Sequence, residues 1–473
     1  MSTTHSTGDE SPPRRRRWLI VGTAGIALIM IAAAGLVWWN IDRPDHVTTA
    51  PLDEHPLART ATETAWEWNP PEGSEVSMAH PIPSGVAVRL DDGVIALDGV
   101  TGEPTWHYQR EETALTAAYT TLDTERIALT FDKEQAEDHR TIDPRMEDLL
   151  VLDTATGEII AEQEIEEVGR RRGTNNPTRG PNGAIQDLPA SGIYQLTNDT
   201  RIENAGGKFI AHSLTDGTAL WQNETTSTYV REDDSISDVY SGQATVSGNT
   251  IVSGRSTVNT DNRHDWTYEI VALDADTGEL SWEDSWPIGD GGDYPDPTFT
   301  LGPNTLALRL YPEEQGRILD LESGEEITTD PWPEEGGLLA LTDDGYVTID
   351  QSLDDDRGVH YYDHQGEHRH HLEPDGVNLQ LTQTLALPTD ESLITLGPDP
   401  DAPDGSDRGL LSVDHWESST PQTTVPVDWA PPEKTRLVTD IEWSAETTPY
   451  LRQVPGAIVA LDPTTGRITA FAP

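Results

Sequence analysis

Cysteine is missing from all 473 residues, which excludes disulfides, thiolate metal sites, cysteine nucleophiles and an anchor built on a lipidated cysteine. Lysine is nearly missing as well: Lys133, Lys208 and Lys434 are the whole supply, so the cationic charge is carried by arginine. Basic residues number 30 against 84 Asp and Glu, a formal net charge of −54. A surface of that sign repels phosphate backbones, so no nucleic acid is expected as a partner. Anionic lipid headgroups are disfavoured for the same reason. Two uses of the acid stand open: a solvated shell suited to an exposed environment, or Ca²⁺ held in some acidic loops. Phe is scarce at 4 while Trp reaches 14, and that preference for indole needs an architectural reason. No Walker loop, H-E-x-x-H or G-x-S-x-G occurs, which leaves nucleotide-binding and hydrolase readings without support.

Long hydrophobic runs are confined to one place. Residues 1–17 are polar and end in Arg14, Arg15, Arg16 and Arg17; from Trp18 to Trp39 there is no charge. Twenty-two residues rise about 33 Å as a helix, close to the hydrocarbon thickness of a bilayer. Trp18, Trp38 and Trp39 fall where an interfacial belt would, and the arginine run holds the short side in the cytoplasm. The expected layout is a cytoplasmic tail (1–17), a transmembrane helix (18–39), a linker (40–61) and an extracytoplasmic domain (62–473) in the cell envelope. A cleaved signal peptide is the alternative, because Ala32-Ala33-Ala34 offers a small-residue site. Either way the main domain lies outside the cytoplasm.

That domain is a repeat. VIALDGVTGEPTW (Asp98, Gly102, Trp106) returns as LLVLDTATGEIIA (Asp153, Gly157), FIAHSLTDGTALW (Ser213, Gly217, Trp221) and IVALDADTGELSW (Asp274, Gly278, Trp282). Weaker copies follow at Asp320, Asp363 and Asp414, and AIVALDPTTGRITAF restores Asp462 and Gly466. The copies are 43 to 61 residues apart, room for one four-stranded unit and its loops. Alternation with period two buries one face of the strand before the Asp. The Asp carboxylate caps backbone N–H groups of the following turn. The Gly takes the left-handed conformation of a type I turn with a bulge, and the Trp covers a seam between units. Sheets with open edges gain most by closing into a ring. The prediction is all-β: a β-propeller of eight, alternatively seven, four-stranded blades after one N-terminal transmembrane helix. Thr64-Ala65-Trp66-Glu67-Trp68 reads as an outer strand lacking its motif, available to clasp the last blade.

The A-x-D-x-x-T-G-x-x-x-W phrase resembles the repeat of the pyrroloquinoline-quinone enzymes and their cofactor-free relatives, over about residues 62–473. The resemblance implies the propeller fold. Its dehydrogenases carry the quinone and Ca²⁺ in the central funnel, typically beneath a vicinal Cys pair, which this chain cannot supply. A membrane-anchored scaffold or ligand-sensing module, without cofactor and binding an envelope protein or polymer, is therefore expected. A quinone- and Ca-dependent dehydrogenase is the alternative.

Three segments offer candidate sites. VHYYDHQGEHRHHL places five of the 14 His together; on a regular strand His368 and His370 point the same way, and a hairpin brings His364 near, giving a candidate Zn²⁺ or Cu²⁺ site. DPDAPDGSDRG (Asp399, Asp401, Asp404, Asp407) partly resembles a Ca²⁺ loop but lacks the closing Glu. Arg170, Arg171, Arg172 and Arg179 form a basic island in a Gly- and Pro-rich stretch, a candidate contact for an acidic partner.

Overall fold

A computed structural model describes residues 44–110, 113–132, 145–167, 194–205, 208–223, 240–259, 262–289, 298–310, 315–329, 336–342, 344–350, 358–372, 385–389, 391–399, 401–403, 408–416, 423–429, 450–462 and 465–473. Eight antiparallel sheets follow one another along the chain, so the count is eight blades and not seven. Blades one to seven occupy residues 76–109, 115–167, 194–223, 240–289, 298–329, 336–372 and 386–427. In each, four strands run outward in sequence order, and the first strands of neighbouring blades lie against one another around the centre. Among the described residues, no helix is long and apolar enough to cross a membrane; the 18–39 segment lies outside them.

The eighth blade is composite. Tyr450–Val454, Ala457–Asp462 and Arg467–Ala472 are its first three strands, and Glu63–Trp68 is the fourth, paired antiparallel with Arg467–Ala472. The expected clasp is present. It also moves the last copy of the repeat: Asp462 and Gly466 join the second and third strands, whereas Asp98 and Gly102 join the third and fourth.

The motif works as its chemistry predicts. Asp98 Oδ1 accepts from the N–H groups of Val100 (3.1 Å) and Thr101 (2.8 Å) and from the Thr101 hydroxyl (2.9 Å). Asp274 does the same for Asp276 and Thr277. Gly102 sits at φ +70° and its N–H donates to the Asp98 carbonyl at 2.8 Å. A β-bulge follows in the strand after each of these turns, in blades one to six.

Each docking indole then reaches the next blade. Trp106 of blade one donates Nε1–H to the Thr154 carbonyl of blade two at 2.8 Å. Trp221 reaches Ala275 (3.0 Å), Trp282 reaches Leu321 (2.9 Å), and Trp66 of the clasp reaches Gly99 (3.0 Å). The acceptor is always the residue after the motif Asp or its neighbour's equivalent. The ring lies on the motif Gly: a Cβ on Gly102 would stand 2.5 Å from Trp66 Cδ2, and one on Gly278 2.4 Å from Trp221 Cε3. The Gly therefore has two reasons, a left-handed φ and an indole above it. Burying an indole this way supplies about 3–5 kcal/mol relative to Ala.

The segment expected to be a linker departs from that expectation from residue 44 onward. Asp45–Val47 pairs with the outer strand of blade one, Asp45 opposite Gln109 and Val47 opposite His107. Thr49 N–H donates to the Thr156 carbonyl of blade two at 3.0 Å, and His46 Nε2 lies 2.7 Å from the Gly157 carbonyl. The chain then crosses the turns of blade one (His55 to Asp98, 3.2 Å) and blade eight (Gly456 N–H to the Pro56 carbonyl, 2.9 Å). It reaches blade seven, where the Thr389 hydroxyl donates to the Arg59 carbonyl at 3.2 Å, before entering the clasp. Ala58 and Ala61 are buried in the core shared by blades seven and eight. Pro- and Thr-rich composition marked a segment without its own core; it did not reveal that neighbouring sheets supply the partners.

His80, on the first strand of blade one, is buried, and its Nε2 has no hydrogen-bond partner. Burial, and then the charges of Arg452 and Arg89, hold its pKa well below the ordinary value of 6.5. The folded chain keeps it neutral while the unfolded chain takes up a proton, so this residue lowers stability as pH falls through about 6.5. His80→Gln should flatten the dependence of unfolding free energy on pH between about 7 and 5 relative to the parent, by up to about 1.4 kcal/mol per pH unit in chemical denaturation. Parallel curves for the two chains would refute the assignment.

Candidate functional site

Blade two lacks the docking indole of blades one, three, four and eight. Eight residues after Asp153, where blade one has Trp106, stands Ala161. The acceptor left waiting, the Leu214 carbonyl of blade three, is taken instead by Gln163 Nε2 at 2.7 Å. Gln163 also replaces the indole over the motif Gly, its Oε1 lying 2.8 Å from where a Gly217 Cβ would be. The amide restores the hydrogen bond but not the volume. The seam consequently opens into a cleft of about 530 Å³ lined by Glu162, Gln163, Glu164, Ile165, Arg201, Glu203, His212, Asp216 and Gly217. That size falls within the ordinary range of ligand pockets.

Three ionisable side chains form its floor. Arg201 and Glu203 come from the second strand of blade three and alternate onto one face; His212 lies on the third strand. Arg201 Nη1 is 3.5 Å from Glu203 Oε2, and His212 Nε2 is 3.2 Å from the same oxygen. Burial opposes ionisation of Glu203, but the His212 hydrogen bond and the Arg201 and His212 charges outweigh it and hold the carboxyl below the usual range. At the rim, Arg110 of blade one spans Glu162 (2.9 Å) and Asp148 (3.0 Å) while lying over the Phe131 ring. Counting the lining, four carboxylates face two basic groups, so the cleft favours a basic visitor.

The residues singled out in the sequence fall elsewhere. His368 and His370 lie on the outer strand of blade six, but not on one face: the bulge at Arg369 pairs His368 with Tyr362 and His370 with Tyr361. An extra residue between them reverses the alternation, which corrects the expected common orientation. The structure instead gathers His360, His368 and His371, with His360 and His371 stacked at 4.5 Å and His360 Nδ1 3.4 Å from His368 Nε2. His364 lies on the turn. Among the described residues, no three His, Asp or Glu side chains are placed to hold a metal ion. Asp399 caps the Asp401 N–H at 3.0 Å, a turn contact; Asp404, Asp407 and the basic residues Arg170, Arg171, Arg172 and Arg179 lie outside the described residues.

Among the described residues the indoles of Trp66, Trp106, Trp221, Trp282, Trp416 and Trp429 are engaged in or beside the seams through their Nε1–H groups, and Trp68 and Trp286 pack in core clusters. The basic residues His80, Arg89 and Arg452 lie near one another by the centre. This set does not fit the cofactor's stacking site with acidic Ca²⁺ ligands.

The cleft was legible only as an absence: of the first four copies of the repeat, LLVLDTATGEIIA alone lacks the Trp. No family model matches the chain, and no curated protein matches it in sequence. Among solved structures it is similar to BamB from Moraxella catarrhalis, at 13% identity and TM-score 0.46, covering 86% of this chain and 99% of that one. A eukaryotic initiation factor is similar at 9% identity and TM-score 0.45, covering 85% and 89%. Hsv2 from Kluyveromyces lactis is similar at 8% identity and TM-score 0.37, covering 75% and 98%.

Proposed function

We propose that this chain is a protein-binding propeller of the cell envelope, held at a membrane by residues 18–39, and that a partner seats a basic segment in the cleft between blades two and three. The observation that carries the reading is the open seam itself. Ala161 and Gln163 stand where an indole closes the seams after blades one, three, four and eight, leaving a charged cleft on a ring of paired sheets. Binding sites are commonly such departures on a stiff scaffold. Binding is favoured over catalysis because the buried carboxyl is already engaged by Arg201 and His212: a carboxyl held low, as Glu203 is, makes a weak general base. The acidic surface would speed the approach of a basic partner and make that approach salt-sensitive.

Ala161→Trp restores the indole to its repeat position and fills the cleft. The variant should fold at least as stably as the parent and lose most of its crosslinked partner from intact cells. Recovery of the same partner at the same yield would remove the cleft from the binding surface.

A further inference from the structure

The strap over residues 44–61 changes what the membrane segment can do. As a free linker, residues 40–61 would let the ring wander about 75 Å from the bilayer. Because the strap is docked from residue 44, only Asn40, Ile41, Asp42 and Arg43 separate Trp39 from fixed structure, a reach of about 18 Å at full extension. The point of attachment is defined too. Asp45 lies opposite Gln109, at the end of the outer strand of blade one that leads into blade two. Asp92, in the loop at that same end, holds the Gln109 amide at 3.0 Å. Three further contacts pin the strap there: His107 to Asp45 at 3.2 Å, the His46 ring against Tyr108 at 5.3 Å, and the Thr49 bond to blade two.

We infer that the strap is an orienting device that holds the outer edge of blade one against the lipid bilayer, with the turns of blade five, on the opposite side of the ring, facing away. This rests on the reading of residues 18–39 as a membrane anchor. The edge is not itself lipid-seeking. An acidic ring would stand off from anionic headgroups, and the short covalent tether overrides that repulsion at one point only. Blade two is the next blade along, so the cleft opens beside the membrane, where a partner that is itself membrane-bound would meet it.

The absence of cysteine makes the test direct. Gln109→Cys and Glu322→Cys, the latter on a blade-five turn, each carry a single fluorophore on the full chain reconstituted into phosphatidylcholine vesicles containing a headgroup-nitroxide lipid. The label at 109 should be quenched severalfold more than the label at 322. Inserting twenty Gly/Ser residues between Arg43 and Pro44 should abolish the difference. Equal quenching at both positions, with the protein floating with the vesicles, would overturn the orientation while leaving the anchor intact. Failure to float at all would instead remove the anchor on which the inference rests.

Discussion

A chain beginning at residue 69 should fail to give a cooperative unfolding transition, whereas one beginning at residue 44 should unfold in a single sharp step. The difference between them is the strap and the clasp strand. Without Glu63–Trp68, the strand Arg467–Ala472 becomes a bare edge, its N–H and C=O groups unpaired and open to other chains. Trp66, 8% exposed, is lost from the core formed by blades eight and one, with its bond to Gly99. Ala58 and Ala61 leave the core between blades seven and eight, and the strap contacts to blades one, two, seven and eight go with them. A buried indole alone accounts for about 3–5 kcal/mol, comparable with much of the net stability of an ordinary domain. The shortened chain should elute as aggregate and expose hydrophobic surface to dye. A monomeric 69–473 chain with an unchanged melting temperature would show that the ring closes without its clasp.

Gly102→Ala should destabilise the chain by clearly more than Gly366→Ala does. Both glycines take a left-handed φ, +70° and +76°. Each alanine therefore meets the same backbone cost of about 1–2 kcal/mol. They differ in what stands above them. At Gly102 the new Cβ would lie 2.5 Å from Trp66 Cδ2, so the indole that closes the ring must leave its site or the turn must move. At Gly366 the nearest atom is Thr328 Oγ1 at 3.3 Å, a short side chain that can turn aside. Displacing the indole adds a large part of its burial energy, and the gap between the variants should reach about 2–3 kcal/mol by chemical denaturation. Equal losses would mean that backbone conformation alone fixes the glycine and that indole docking is incidental.

Much of this architecture can be read from thirteen-residue phrases. VIALDGVTGEPTW states a strand, a capped turn, a left-handed glycine and a docking indole, and the structure has all four at Asp98, Gly102 and Trp106. What the phrases do not state is which hairpin of a blade they occupy. Asp462 carries a good copy yet sits one strand inward, because the closing strand comes from the other end of the chain. The strap is hidden in the sequence for a related reason. Its hydrogen bonds all go to other segments, and nothing in residues 44–61 alternates. The expected common orientation of His368 and His370 is lost to a local detail: a single bulged residue, Arg369, separates them, and strand alternation does not survive it. The cleft shows in the sequence only as a missing residue. Ala161 is ordinary on a strand, and becomes informative only beside Trp106, Trp221 and Trp282.

The most direct measurement is site-specific photocrosslinking in living cells from Glu164 in the cleft, with Glu322 on blade five as the reference position. A discrete protein adduct is expected from position 164, none from position 322, and loss of the adduct when Ala161→Trp is added to the same chain. No adduct from 164, or the same adducts from both positions, would contradict it.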